Sequence, residues 1–499
     1  MENRREAGYG KAMITANRIF LSALLCLMAW TDCSSAAEAL PELPREFRGA
    51  WVASVGNIDW PSKAGLTPND QKAELRAIFD RAVALKLNAI VLQVRPACDA
   101  FYASEREPWS PYLTGTMGKP PEPFYDPLEF AVSEAHLRGL ELHAWFNPFR
   151  ALTTASAATS ANHVTKTHPE WIRRYAGQLW LDPGEPGARE YSLGVILDVV
   201  RRYDIDGVHI DDYFYPYPNP SRTPFPDDSS YERYRSKGGS LERGDWRREN
   251  NNQLVQQLYT RVKEAKRWVK VGISPFGIWR PGNPPAIQAG LDAYGEIYAD
   301  SRRWLQQGWC DYFSPQLYWS IQPTKHSFPI LLNWWAEQNT RGRHLWAGIA
   351  TERIGPARPA REILNQIALT RGLNGSRGHL HWNNKALMIN KGKIADLLQA
   401  DTYRQMALIP ATPWLGATVP AKPIIESANG RLSWHLPDGS TPRWWLMQAR
   451  QGSAWAAQLL PGTRLSGKLP DAEEIALRAL DRTGTLGDAA LFRLPAGAK

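Results

Sequence analysis

Four carboxylates crowd one short stretch of the chain, Tyr203–Pro216, which reads YDIDGVHIDDYFYP. Asp204, Asp206, Asp211 and Asp212 flank a strand-like apolar core of Val208 and Ile210, and aromatics follow. Carboxylates are costly to desolvate unless they have partners or a task. At the C-terminal end of a strand of a parallel barrel, the place where reacting groups stand, their task would be acid–base chemistry. The competing interpretation is a solvated strand-to-helix loop in which Asp residues form turns and caps.

Breaking a glycosidic bond takes one carboxyl to protonate the leaving oxygen and a second group to stabilise or attack the anomeric carbon. The two-residue period of a strand puts Asp211 on the face of His209, expected to point inward, and turns Asp212 the other way. Glu352, in GIATERIG, is the expected second carboxyl, against a loop salt bridge with Arg353 or Arg361. If an N-acetyl group of the substrate is the nucleophile instead, one acid suffices, and Tyr318 is placed to hydrogen-bond that group. Arg95, Asn147, His209, Gln316, Trp319 and Trp382 complete the expected substrate-binding set. Arg95 suits bidentate pairing with a carboxylate, either on a sugar or within the barrel as a buried ion pair.

These residues need a scaffold, and the chain offers one. Strand-length apolar runs recur at Phe47–Ser54, Ala89–Pro96, Leu140–Phe149, Gly207–Phe214, Val269–Trp279, Cys310–Trp319, His344–Ala350 and Gly378–Asn384. Stretches with helical apolar spacing lie between them, among them Asn69–Leu87, Asp126–Arg138 and Asn252–Trp268, with Asn69 and Gly139 as cap residues. Strand–helix alternation repeated eight times predicts a (β/α)8 TIM barrel over residues 44–401. Polar side chains share one face of several strands: Gln93 with Arg95, His143 with Asn147, His209 with Asp211, Gln316 with Tyr318, His379 with His381. A polar, aromatic-lined mouth is expected. A Pro-punctuated linker over 402–422 leads to short alternating segments over 423–499, the pattern of a fibronectin type III-like β-sandwich.

The 499 residues carry 59 basic and 50 acidic side chains, a net charge of +9, with no Lys/Arg-rich run. That disfavours nucleic acid as a partner and fits attraction to an anionic envelope polymer. The 22 Trp residues suit a groove that stacks sugar rings on flat apolar faces. Residues 1–37 predict a secretory signal: Arg18 precedes the apolar run Ile19–Trp30, and Ser34–Ala37 offer small residues for cleavage. The run is too short to span a bilayer. The expected location is therefore the periplasm or cell envelope. Membrane attachment is expected only if Cys33 is lipidated, and the Trp-Thr-Asp before it is a poor acylation signal. Cys98 and Cys310 fall at opposite ends of a barrel and are expected to be free, buried thiols.

The segments PREFRGAWVAS, LNAIVLQVRPACDAFYASEREPWS, GLELHAWFNPFR, DGVHIDDYFYP and SPQLYW occur in order, each at a strand end, and together resemble bacterial glycosyl hydrolase-like family 10. The resemblance runs from Pro44 to Asp401. It implies a (β/α)8 glycosidase, exported and often lipid-anchored, acting on peptidoglycan glycan strands that lack stem peptides. Their sugars carry N-acetyl groups, and a muramic acid lactyl group is the carboxylate that Arg95 would meet. The chain is also similar, more loosely, to family 18 chitinases with their fourth-strand DGxDxDxE. Asp206 and Asp211 match the first and third Asp of that motif and Tyr318 matches the sixth-strand Tyr. His209 replaces the middle Asp and Tyr213 stands where the acid Glu belongs, so Asp211 or Asp212 must serve as the acid. No cofactor is expected. Two rival readings are a zinc-dependent hydrolase, with His379 and His381 joined by His143, His209 and Asp211, and a glycan-binding protein without catalysis.

Overall fold

The eight apolar runs pair in parallel and close on themselves. They form β1 (Phe47–Val52), β2 (Ala89–Arg95), β3 (Glu141–Phe146), β4 (Gly207–Ile210), β5 (Lys270–Ile273), β6 (Tyr312–Phe313), β7 (His344–Ala350) and β8 (Ser376–Trp382). The ring is completed where β1 meets β8, with Gly49 opposite Leu380. The structure, a computed structural model, describes residues 40–494 apart from 323, 324 and 417. The expected signal segment and Cys33 lie outside the described residues.

Each of the first seven strands is followed by a helix that leads to the next strand: α1 (Pro68–Ala84), α2 (Pro127–Leu137), α3 (Pro186–Arg202), α4 (Arg243–Ala265), α5 (Ser301–Gln307), α6 (Phe328–Gln338) and α7 (Ala360–Gly372), with shorter helices such as Asp228–Ser236 in some of the connections. α1 starts ahead of the expected Asn69 cap. The Thr67 hydroxyl accepts from the Asp70 amide, and Pro68, which has no amide proton to lose, takes the first turn. Leu75, Ile78, Phe79 and Ala82 then form its buried stripe. α4 likewise begins before the expected Asn252, because its first turns are polar while its burial, Trp246 included, already faces inward. Cys98 and Cys310 are free and buried, as expected.

The barrel interior is built around rings. Phe47 stacks on Trp346 with centroids 3.7 Å apart, and Tyr312 stacks on Trp346 at 4.6 Å. Glycines on neighbouring strands make the room: a Cβ at Gly272 would lie 1.9 Å from the Tyr312 ring, and one at Gly207 2.6 Å from His143 Nδ1. Through this ring core runs a polar column. Trp51 Nε1 donates to His209 Nε2 (3.0 Å), and the Tyr312 hydroxyl joins His209 Nδ1 (3.0 Å) to His143 Nδ1 (2.8 Å). His143 Nε2 meets Glu141 (2.9 Å), and Lys270 meets the same carboxylate (2.7 Å). With Trp51 as a donor only, one set of tautomers satisfies the column. His209 gives its Nδ1 proton to Tyr312, Tyr312 gives its proton to His143, and His143 gives its Nε2 proton to Glu141.

The last strands are β9 (Ile424–Ala428), β10 (Arg431–His435), β11 (Trp444–Gln451), β12 (Ala454–Pro461), β13 (Ser466–Lys468), β14 (Glu474–Leu480) and β15 (Ala490–Arg493). They form antiparallel sheets ordered β9-β10-β13 and β12-β11-β14-β15 around Trp434, Trp445, Met447 and Leu477. This sandwich is seated on the N-terminal foot of the barrel. Arg443 reaches Asp206 at 2.6 Å and also touches His136, while Arg482 holds Asp204 at 2.8 Å. The segment expected as a linker is stitched down too: Glu46 N donates to Leu408 O (2.9 Å), and Trp414 Nε1 to Asp311 (2.8 Å).

Candidate active site

β4 ends at Ile210, and the two carboxyls that follow diverge to opposite walls of the mouth. Asp211 continues the inward alternation of Gly207 and His209, and its partners come from β3 and the turn after it. Trp145 Nε1 donates to its Oδ2 at 3.0 Å, Asn147 Nδ2 lies 3.2 Å from Oδ1 and 3.3 Å from Oδ2, and the Tyr213 amide approaches Oδ1 at 3.3 Å. Asp212 leans toward β6. Tyr217 donates its hydroxyl to Oδ2, and the Gln316 side chain hydrogen-bonds the same carboxylate. Strand alternation lapses after Ile210, so both carboxyls reach one site, contrary to the expectation that Asp212 turns away.

Both carboxyls are buried, which penalises their ionised forms. Burial, and next the charge of Asp212, push Asp211 up to about 6. Asp212 is raised by burial, against the pull of Tyr217 and Gln316. Arg150 is the cation that tempers both. It emerges from a small antiparallel excursion after β3 (Arg150–Leu152, with Ile172–Tyr175 and Gln178–Leu181), and its guanidinium lies 4.8 Å over the Tyr213 ring. A carboxyl lifted to about 6 keeps its proton in mildly acidic solution, where an ordinary aspartate has lost it. That is the arrangement for giving a proton to a leaving group while facing positive charge with the partner.

Around the pair stand half-buried aromatics. Trp382 meets Trp51 and Trp145 edge-on at 6.3 and 6.2 Å, on the Asp211 side. Tyr217, Phe276 and Trp319 form the other wall, Phe276 meeting Trp319 at 5.6 Å and Tyr217 at 6.4 Å. Burial, and next the charges of Glu352 and Asp212, hold the Tyr318 hydroxyl well above the usual range. Glu352 follows β7. It is raised by burial, sits 3.3 Å from Arg353, and among the described residues its Oε2 is buried without a hydrogen-bond partner.

The sequence profile of the family described as glycosyl hydrolase-like 10 matches residues 46–362. The chain belongs to this family. It is a glycoside hydrolase. Glycosyl hydrolase YngK of Bacillus subtilis (strain 168) is 44% identical over 404 residues, which span 78% of this chain and 78% of that protein. Glycosyl hydrolase DigH of Escherichia coli (strain K12) is 36% identical over 331 residues, 62% of this chain and 74% of that one. The catalytic domain of the beta-amylase from Paenibacillus polymyxa aligns with a TM-score of 0.50 at 11% identity, over 73% of this chain and 99% of that one, and shares the barrel fold.

Within this family member the expected site residues divide. Asp211, Asp212, Gln316, Tyr318, Trp319, Trp382 and Glu352 gather at the mouth. Arg95 does not: its guanidinium is fully buried, bonded to Glu107 at 2.8 and 2.6 Å and to the carbonyls of Asn147 and Pro148, so it has no donor left for a sugar carboxylate. Asn147 is buried under Asp211 and orients it. His209 belongs to the column beneath the floor, held neutral by burial. Asp206, matched to the chitinase motif, stands at the opposite end of β4 and pairs with Arg443.

The zinc arrangement is corrected as well. On β8 the inward residues are Leu380 and Trp382, whereas His379 and His381 face outward and share the Tyr403 hydroxyl, His381 at 2.9 Å and also 2.7 Å from Thr351. The barrel wall therefore separates them from His143 and His209. Sequence reasoning missed Arg150 and Tyr217. Both sit in turns past strand ends, and Arg150 was legible only as the last residue of the FNPFR motif.

Proposed function

We propose that this hydrolase is exported and cleaves N-acetylated cell-wall polysaccharide, specifically peptidoglycan glycan strands freed of stem peptides, by carboxylate acid–base catalysis. The observation that carries this reading is the Asp211–Asp212 pair, lifted in pKa and set between two aromatic walls at the C-terminal ends of the strands. In the proposed reaction Asp211 gives its proton to the glycosidic oxygen. Asp212, hydrogen-bonded by Tyr217 and Gln316, faces the developing positive charge at the anomeric carbon. Tyr318 is the donor to the acetamido group, and Glu352 is the second carboxyl where the acetamido group does not attack. Trp319 and Trp382 stack the sugars.

The net charge of +9 favours an acidic envelope polymer, and the signal-like run Ile19–Trp30 supports export, with attachment through Cys33 only if that residue is acylated. The sandwich, with its three-plus-four strand order, is read as a fibronectin type III-like accessory module. Incubating the purified protein with isolated peptide-free glycan strands, intact peptidoglycan and chitin, and following released sugars, tests the reading. Products are expected from the stripped strands foremost. Asp211→Asn is expected to lower that rate by about 10²-fold or more while leaving the fold intact. Full turnover in folded Asp211→Asn would move the acid to Asp212 or Glu352.

A further inference from the structure

At the foot of the barrel, opposite the active site, a cavity of about 660 Å³ opens beside the first residues of β1 and β8. Five arginines line it against two carboxylates, Glu46 and Asp401. The carboxylates are already used. Glu46 takes Arg48 at 2.6 Å and Arg371 at 2.7 Å, and Asp401 pairs with Arg361 at 2.8 Å. Arg45, Arg377 and Arg404 are left over: among the described residues no carboxylate lies within 4.0 Å of any of them. Arg45 donates from one nitrogen, Nη1, to the carbonyls of Ile409 (3.0 Å) and Gly484 (2.8 Å). Burial, and next the charge of Arg478, lower its pKa against the pull of Asp481. A second cavity, of about 490 Å³, lies on the far side of Arg45 and Arg377 and adds Arg343.

Like charges held in one concavity repel, and neutral side chains would fill a purely structural foot at lower cost. Three guanidinium groups with no carboxylate in ion-pair contact match a compact anion of two or three charges. Their planar forks suit phosphate oxygens, whereas a lone carboxylate would neutralise only one. We propose that the foot cavity is a binding site for a phosphate-bearing ligand, a pyrophosphate or a phosphomonoester, held by Arg45, Arg377 and Arg404. This site is separate from the glycan-cleaving mouth and does not depend on which glycan is cut there.

Titration calorimetry of the full chain with inorganic pyrophosphate, inorganic phosphate and acetate at low salt tests it. One molecule of pyrophosphate is expected to bind per chain, more tightly than phosphate, with no acetate binding. Added salt is expected to weaken it. Arg377 and Arg404 are exposed, so Arg377→Ser with Arg404→Ser is expected to fold, to keep glycan cleavage, and to weaken pyrophosphate at least about tenfold, the loss that one charge-assisted contact carries. A vesicle of anionic phospholipid distinguishes the source of the phosphate, because a bilayer surface cannot enter the cavity. No pyrophosphate binding, equal affinity in the double variant, or binding to vesicles without binding to pyrophosphate would each overturn the assignment.

Discussion

Arg150 stands where two buried carboxyls would otherwise face each other without a compensating charge. Because its charge lowers both Asp211 and Asp212, replacing it with Met lifts them further. The alkaline limb of kcat/KM, expected near the value of about 6 of Asp211, should move upward in Arg150→Met. An unmoved limb would detach Arg150 from the pair. Stability carries the same signature. A carboxyl raised from 3.8 to about 6 in the fold favours the folded state while protonated, and that advantage is lost as pH rises through this window. The effect is about 3 kcal/mol at about 1.4 kcal/mol per unit. Asp211→Asn should therefore flatten the fall in unfolding free energy between these pH values, as read by urea titration at several pH values. Asp211 could be assigned its direction from the sequence because it extends the alternation of a strand. Asp212, Arg150 and Tyr217 could not, because past Ile210 direction is set by turns and by tertiary partners.

The strands were legible to within a few residues, since an apolar run needs no partner to be recognised. Their phase was not. Period two says that His379 and His381 share a face, but not which, and β8 carries a register shift against β7 between Leu345 and Ala347 that no local pattern announces. Inward glycines and rings turn the same argument around: Gly272 and Gly207 make sense only once Tyr312 and His143 are seen to occupy their space. The column through these rings makes its own prediction. Tyr312→Phe removes one hydroxyl and strands two buried ring nitrogens, at a cost of about 1–3 kcal/mol. The loss should appear in denaturant unfolding, with turnover falling far less than in Asp211→Asn. Unchanged stability would mean that the column is not fixed as the hydrogen bonds indicate.

On the scale of the whole chain the sandwich is part of the barrel's foundation. Arg443 of the sandwich and Asp206 of the barrel bury their charges against each other, with side chains 8% and 7% exposed. Arg443→Met leaves the carboxylate without its main partner and should cost about 3–5 kcal/mol, read as a lower melting temperature. Arg443 and His136 hold Asp206 below the ordinary carboxylate range, so this support is complete above about 4 and is lost as pH falls through the folded value. A chain ending at Ala411 is for the same reason expected to melt earlier than the full chain, and equal melting would restore the picture of an independent module. The closed ring also has a consequence in time. Gly49 hydrogen-bonds along a strand that contains Leu380, so β1, among the first parts of the barrel to be synthesised, keeps a naked edge until nearly the last barrel residue has been made. No shorter nascent chain can close the ring, and whatever shields that edge during synthesis must act over most of the time the ribosome spends on this protein.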